Sequence, residues 1–551
     1  MFWRALMRLS YGLNRLSLKV AASFAIGLGA VLAACTSSEE PTPSNISLEK
    51  IGGFEGSVLG AAEITAFDAA SKRLFVVNGA NGTVDVLDLS QPTSPKLVAT
   101  INVSSMGAGV NSVAVHEGLV ALAIEANPKT SAGKVAFYQA SDLKLLHTVT
   151  VGALPDMLAF TPDGQYLVVA NEGEPNSYGL ADSVDPEGSI SIIKVNRGAT
   201  PTVATADFKA FIGKEDELRR AGVRLYGPGA NAAQDIEPEY VAISEDGKTA
   251  YVTLQENNAV AIVDIGSAKV TAIKALGYKD HSLAGMGLDA SDEDGGTNTN
   301  SGTAAIKILQ RAVRGLYLPD GIASYSVNGQ TYLVTANEGD ARADWPGFNE
   351  ETRVRAHCDK GLDPSIFSDA ANLIFDSNLG RLRITSTPNG GTTGKNAAGL
   401  CTELYAFGAR SFSIWDSNLN RVYDSGDQFE QRTIALPNVL FNASNDNNTL
   451  DARSPNKGPE PEGVVVGRFG SKQFAFIGLE RVGGVMVYDI TDPKAAKFVT
   501  YYNTRNGAVG DRGPEGILLI PAYASPNGKP LLVLGNETSG STAILQINLQ
   551  Y

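Results

Sequence analysis

Two sets of carboxylates recur at matching places along the chain. The first set lies in a short motif: Ala62-Glu63, Pro155-Asp156, Pro238-Glu239, Pro319-Asp320, Pro461-Glu462 and Pro514-Glu515, with Asn111 at the remaining place. The second set closes a run of apolar residues: Glu125, Glu172, Glu256, Glu338, Glu480 and Glu537, with Ala80 at the remaining place. Carboxylates gathered within a few ångström raise one another's pKa and cannot all ionise unaided. Bound cations relieve that repulsion. Many hard oxygen ligands without His or Cys select calcium, with magnesium second, over zinc or copper. The histidines, His116, His147, His281 and His357, stand far apart and make no ligand pair. Arg342, Arg481 and Arg512 lie one to four residues from acids of the two sets. They are open to two readings: ion pairs with those acids, or a bidentate clamp on a phosphoryl group. No Ser-His-Asp or Cys-His arrangement competes for catalysis.

The elements that must position these acids form a repeat. Its second strand reads LFVVNGA (74–80), LVALAIE (119–125), YLVVANE (166–172), AYVTLQE (250–256), YLVTANE (332–338), FAFIGLE (474–480) and LLVLGNE (531–537). A polar turn follows each, then a further strand such as TVDVLDL (83–89) or AVAIVDI (259–265). Short strands at regular spacing with Gly, Asn and Asp turns predict an all-β fold, and the repeat predicts a seven-bladed β-propeller over residues 46–551. In such a blade the innermost strand begins and the second strand ends on one face, so up to twelve carboxylates would surround one mouth of the central channel. Three stretches interrupt the repeat and read as insertions: 200–234 with a helical pattern, 276–314 with an acidic Gly/Asn loop, and 345–403 with a second helix (SIFSDAANLIFDSNLGRL) and two cysteines. The last repeat lacks a fourth strand, which residues 46–52 would supply.

Two further loops are acidic. Asp416, Asn418, Asn420, Asp424 and Asp427 follow EF-hand spacing, but Arg421 replaces the usual Gly and no helices flank them, so a plain hairpin turn competes. Asp289-Ala-Ser-Asp-Glu-Asp294-Gly295 reads equally as a cation loop or a solvated one.

The N-terminus carries a targeting pattern. Arg4, Arg8, Arg15 and Lys19 precede an apolar run from Val20 to Val31 and then Leu32-Ala33-Ala34-Cys35, which matches a bacterial lipobox. Residues 1–34 are therefore expected to be a lipoprotein signal peptide, Cys35 the lipidation site, and residues 35–45 a flexible tether. Thr36 after the cysteine favours the outer membrane, so the expected place is the cell envelope, on its periplasmic face or at the cell surface. Loss of the segment takes four of the 45 basic residues and none of the 59 acidic ones, moving the net charge from −14 to −18. Such a balance disfavours nucleic acid as a partner. After Cys35 only Cys358 and Cys401 remain; in an oxidising compartment they form a disulfide, or else two buried thiols.

The segments GALPDMLAFTPDGQYLVVANEGEPNSY, DIEPEYVAISEDGKTAYVTLQENNAVAIVDI, LPDGIASYSVNGQTYLVTANEGDARAD, ELYAFGARSFSIWDSN, GPEPEGVVVG and DRGPEGILLIP together resemble the choice-of-anchor I family. The resemblance spans about residues 46–550. It implies an extracellular domain held to the cell by a variable anchor, with relatives labelled alkaline phosphatase-like and mesenchyme cell-surface glycoprotein. The Pro-Glu-Gly and Asn-Glu-Gly elements are also similar to those of calcium-using phytase-like propellers. Two functions follow as expectations. One is a surface module whose calcium ring stiffens loops that meet a glycan or surface protein. The other is a calcium-dependent phosphoesterase acting through metal-activated water.

Overall fold

The computed structural model describes residues 41–551 apart from 57, 297–301 and 389–391. Cys35 and the expected signal peptide lie outside the described residues. The second strands of the repeat are continuous apolar runs such as Leu119–Glu125 and Leu531–Asn536, and they are buried on both faces. Outer strands such as Lys96–Asn102 and Thr202–Asp207 are mostly exposed. That contrast drives stacking: a sheet apolar on both faces must find a neighbour on each side.

Seven four-stranded antiparallel sheets form in this way. Their first strands are Thr65–Asp68, Gly109–His116, Pro155–Phe160, Val241–Ile243, Ile322–Val327, Pro461–Phe469 and Pro514–Ile520. Each first strand touches the next, and Pro514–Ile520 touches Thr65–Asp68, so they close a circle. The core is divided in the same way. Val77 packs with Val120 between the first and second sheets, Val252 with Val168 between the third and fourth, and Val533 with Leu74 between the last and the first. A closed circle of sheets packed face to face is a β-propeller. The circle is completed by Asn45–Glu55, which pairs antiparallel with Ser541–Gln550 as the outer strand of the last sheet, as the sequence predicts.

The insertions differ in part from expectation. Residues 200–234 begin with the outer strand Thr202–Asp207, and their helix is confined to Glu215–Arg220. The second predicted helix shrinks to Ala370–Leu373. Its sequence is rich in Ser, Asp and Asn, whose side chains bond locally and compete with helix: Asp363 accepts from the Ser365 N–H at 2.9 Å, and Asp369 from Asn372 Nδ2 at 2.8 Å. A five-stranded sheet takes the helix's place, in the order Tyr278–Asp280, Arg314–Leu316, Tyr405–Ala406, Arg383–Thr385 and Glu351–Arg353. It has its own apolar core, including Leu288, Val354, Phe367, Leu382 and Ile384. Cys358 and Cys401 form a disulfide within it, with Cα atoms 5.6 Å apart. A further insertion, from Asp427 to Glu460, carries the helix Gln428–Thr433 and was not anticipated. The Asp416 loop is a hairpin turn: its carboxylate accepts from the Asn418 N–H, the Asn420 N–H and Asn420 Nδ2, each at 2.9 Å.

Candidate metal centre at the channel mouth

In four of the seven first strands the motif is built by a local irregularity at the strand's start. Strand pairing skips a residue between Pro155 and Leu158, Pro461 and Val464, Pro514 and Ile517, and Val110 and Ser112. The skipped stretch holds Asp156, Glu462, Glu515 and Asn111, and a bulge of this kind re-aims the side chain it carries. Two residues before the acid the backbone turns left-handed at Leu154 (φ 47°), Leu318 (φ 41°), Glu460 (φ 50°) and Gly513 (φ 67°). Three of the four are not glycine, so local strain is held in place by the surrounding packing.

The glycine of Pro-Glu-Gly serves spacing instead. A Cβ on Gly321 would lie 2.3 Å from the Glu462 carbonyl oxygen. On Gly463 it would lie 2.2 Å from that of Glu515, and on Gly516 2.5 Å from that of Glu63. Each glycine thus lets the next sheet's acid approach, and the acids are drawn into a ring. At the second-strand ends a buried Asn fixes the chain just before the Glu. Asn171 Nδ2 donates to Ser191 Oγ at 3.0 Å, and Asn337 Nδ2 to Ser413 Oγ at 2.9 Å.

The side chains converge. Carboxylate oxygens of Glu63, Glu515 and Glu537 lie within 4.8 Å of one another, as do those of Asp320, Glu338 and Glu462, and those of Glu338, Glu460 and Glu480. Asp156, Asp320 and Glu515 line one cavity of about 40 Å³ with Asn111 and Tyr240. Burial, then Glu537 and Asp156, push Glu63 up to about 8. Burial and Glu174 push Asp156 up to about 7. Glu239, Asp320, Glu462 and Glu515 are held well above the carboxylate range by burial and then, respectively, by Asp320, Glu338, Glu480 and Glu63. Glu172 is raised likewise by burial and Glu174. Burial raises Glu256 and Glu480 to about 8. The opposite ends of the first strands frame a different, open cavity with Tyr325, Ser326, Val466 and Arg468.

Partnering divides the acids into two groups. Among the described residues, the carboxylates of Glu63, Asp156, Glu172, Glu239, Glu256, Asp320, Glu462, Glu515 and Glu537 accept no hydrogen bond and meet no basic side chain within 4 Å. Glu239 Oε2 and Glu462 Oε2 are buried without a donor. By contrast, Glu338 accepts from Lys457 Nζ at 2.7 Å and Gln255 Nε2 at 2.8 Å, and Glu480 from Asn445 Nδ2 at 2.8 Å. Sequence reasoning did not find Lys457 or Glu460. Burial would raise Glu460, but Lys457, Arg453 and Arg481 outweigh it and pull the group down to about 2. The Glu338–Glu460–Glu480 corner therefore carries its own cations. The Glu63–Glu515–Glu537 corner carries none among the described residues.

Two of the three arginines make ion pairs with acids. Arg342 does not stand free at the ring. Its Nε donates to Glu237 at 3.1 Å and its Nη2 to the Asp235 carbonyl at 2.8 Å, and Nη1 pairs with the Asp235 carboxylate; all three side chains are buried. The reason is the segment that ends the 200–234 insertion and leads into the next sheet, which delivers Asp235 and Glu237 to it. Arg481 Nε donates to Glu460 at 2.9 Å, and its Nη1 lies 3.1 Å from Glu480. Arg512 Nη1 donates to the Asn445 carbonyl at 3.1 Å, while its Nε is buried without an acceptor.

The chain is similar to several known proteins. The model of the choice-of-anchor I domain matches residues 63–493. The chain is 29% identical over 191 residues to Gigasin-3a of Magallana gigas, covering 31% of this chain and 66% of that protein. It is 25% identical over 369 residues to the mesenchyme-specific cell surface glycoprotein of Strongylocentrotus purpuratus, covering 58% of this chain and 45% of that one. The chain thus spans just under two thirds of one curated relative and under half of the other. Among solved structures, a hydrazine synthase chain of Kuenenia stuttgartiensis aligns over 90% of this chain and 98% of its own, at 12% identity and a TM-score of 0.45. The WD40 domain of Toxoplasma gondii coronin aligns over 93% and 89%, at 10% identity and a TM-score of 0.44. With the family's domain matched over most of its length, this chain belongs to the choice-of-anchor I family.

Proposed function

We propose that the protein is a seven-bladed, extracytoplasmic surface module, tethered to the outer membrane through lipid on Cys35, whose channel-mouth carboxylates hold calcium. The observation that carries this reading is the group of half-buried ring carboxylates without a hydrogen-bond donor or basic partner. Glu63, Glu515 and Glu537 would take one ion, and Asp320 and Glu462, with Glu338, another. An all-oxygen donor set suits calcium or magnesium. Bound calcium supplies charge balance, and it stiffens the loops at the strand ends that would meet a glycan or a surface protein. The cell-surface name of the sea-urchin relative agrees with such a role.

A phosphoesterase is the second reading, favoured by one feature. A cavity of about 200 Å³ beside the ring is lined by Arg383, Arg453, Lys457 and Arg481. Those cations would hold a phosphoryl group there, although Arg481, Arg453 and Lys457 already pair with Glu460.

Thermal unfolding with calcium and with chelator tests the first reading. Calcium at a hundredfold excess over its dissociation constant should stabilise by about 2.7 kcal/mol. Glu63→Gln with Glu515→Gln should remove a large part of that gain and leave the fold intact. A melting temperature indifferent to chelator would sink the metal ring. Turnover of phosphomonoesters or phosphodiesters that chelator abolishes would move the conclusion to the second reading.

A further inference from the structure

Away from the channel mouth, two insertions bring together three acids, two from one loop and one distant in sequence. Carboxylate oxygens of Asp289, Asp294 and Asp451 lie within 4.8 Å of one another. The side chains are 1%, 4% and 0% exposed, so solvent does not stabilise their charge. Asp294 Oδ2 and Asp451 Oδ2 are each buried without any hydrogen-bond partner. Buried acceptors left open are costly, more so when the group is charged.

The remaining oxygens are held by the protein. Asp289 Oδ2 accepts from the Lys307 N–H at 2.6 Å, and Asp294 Oδ1 from the Ala305 N–H at 2.8 Å. Asp451 Oδ1 accepts from Ser454 Oγ, which also receives Asn442 Nδ2 at 2.8 Å. The wholly buried Asn442 keeps its Oδ1 without a donor as well.

Nearby cations stay beyond 4 Å of these carboxylates. Arg410 donates to Glu430, to the Asp289 carbonyl and to the carbonyls of Ser454 and Asn456. The Lys307 ammonium bonds the Asp294 carbonyl. Arg311 Nη2 reaches Asn378 at 3.4 Å, and its Nε is buried without an acceptor. No salt bridge reaches any of the three acids among the described residues. Burial, aided by Glu430 for Asp289 and by Asp289 for Asp451, pushes these two groups up to about 7 and about 8.

We infer that Asp289, Asp294 and Asp451 form a second, buried calcium site that staples the insertion after the fourth sheet to the one after the fifth. Hard carboxylate oxygens without His or Cys set the metal class, and water and nearby carbonyls complete the six to eight oxygens calcium takes. The site does not depend on the ring.

Hydrogen exchange on the full wild-type chain, in calcium and in chelator, reads this site apart from the ring. Calcium should slow exchange at residues 289–294 and 451–454; unchanged exchange at both segments overturns the site, whatever the ring does. Asp451→Asn supplies an independent readout. An amide stays neutral where the buried acid must hold a proton or a cation, so in chelator its melting temperature should equal or exceed that of wild type. In calcium it should fall below wild type, and equilibrium dialysis with calcium should show about one ion fewer per chain. An equal loss of stability in both conditions would mean a purely structural aspartate and overturn the inference.

Discussion

At the scale of single residues, the ring acids make stability depend on pH in a direction opposite to that of an ordinary salt-bridged carboxylate. Glu63 titrates near 4.5 in a free chain and at about 8 when folded, and Asp156 moves from 3.8 to about 7. Between those values the folded protein holds protons that the unfolded chain has released. Stability of the metal-free protein should therefore fall as pH rises from about 5 to about 8. Glu460, drawn down to about 2, acts only in the acid range and leaves this window clear. Calcium selects the ionised forms, so the fall should flatten or reverse when it is present. Melting temperatures across that range, with chelator and with calcium, measure both slopes; a metal-free curve that rises with pH contradicts the ring. These acids were legible in the sequence because each repeats at one place in its unit. Lys457, Asp235 and Glu237 were not: each occurs once, in or beside an insertion, and only the fold delivers it to its partner.

At the scale of elements, the repeat was legible because its second strands are continuous apolar runs, six of the seven ended by Glu. The five-stranded sheet was not, because strands of two or three residues such as Arg383–Thr385 and Tyr405–Ala406 carry no periodicity. Their pairing comes from segments as far apart as Tyr278 and Tyr405, and long-range contact leaves no local pattern. This sheet depends on its disulfide more than the propeller does. Cys358 and Cys401 close a loop with a sequence separation of 43, which in the chain-entropy model is worth about 4 kcal/mol. Replacing both with Ala should loosen the insertion while the seven sheets, whose cores lie elsewhere, remain folded. Limited proteolysis should then cut first between 345 and 403, with far-ultraviolet circular dichroism nearly unchanged. Global unfolding of the variant would show instead that the insertion's core supports the ring.

At the scale of the whole molecule, closure is the critical event. Five of the seven sheets are made from strands that follow one another and the fifth closes around an insertion, but the last needs a strand from the opposite end of the described chain. Asn45–Glu55 pairs along ten residues of Ser541–Gln550, buries Ile46 and Leu48 against Phe474, Leu545 and Ile547, and sets Lys50 Nζ 2.7 Å from Asp511. Burial of the two aliphatic side chains alone is worth about 3–6 kcal/mol. Without the strand, Ser541–Gln550 becomes an exposed apolar edge, the kind of surface that pairs with other chains. A chain lacking residues 41–55 should melt lower than the intact one and associate through that edge. A peptide of those residues added in trans should restore both the melting temperature and the monomer, because it replaces backbone pairing and the Ile46 and Leu48 contacts together. Ile46→Asp in the same peptide should abolish the rescue by putting a charge into that core. Size-exclusion chromatography and thermal melts of the three mixtures decide it: a truncated chain as stable and monomeric as the intact one would mean that the ring holds without its terminal strand.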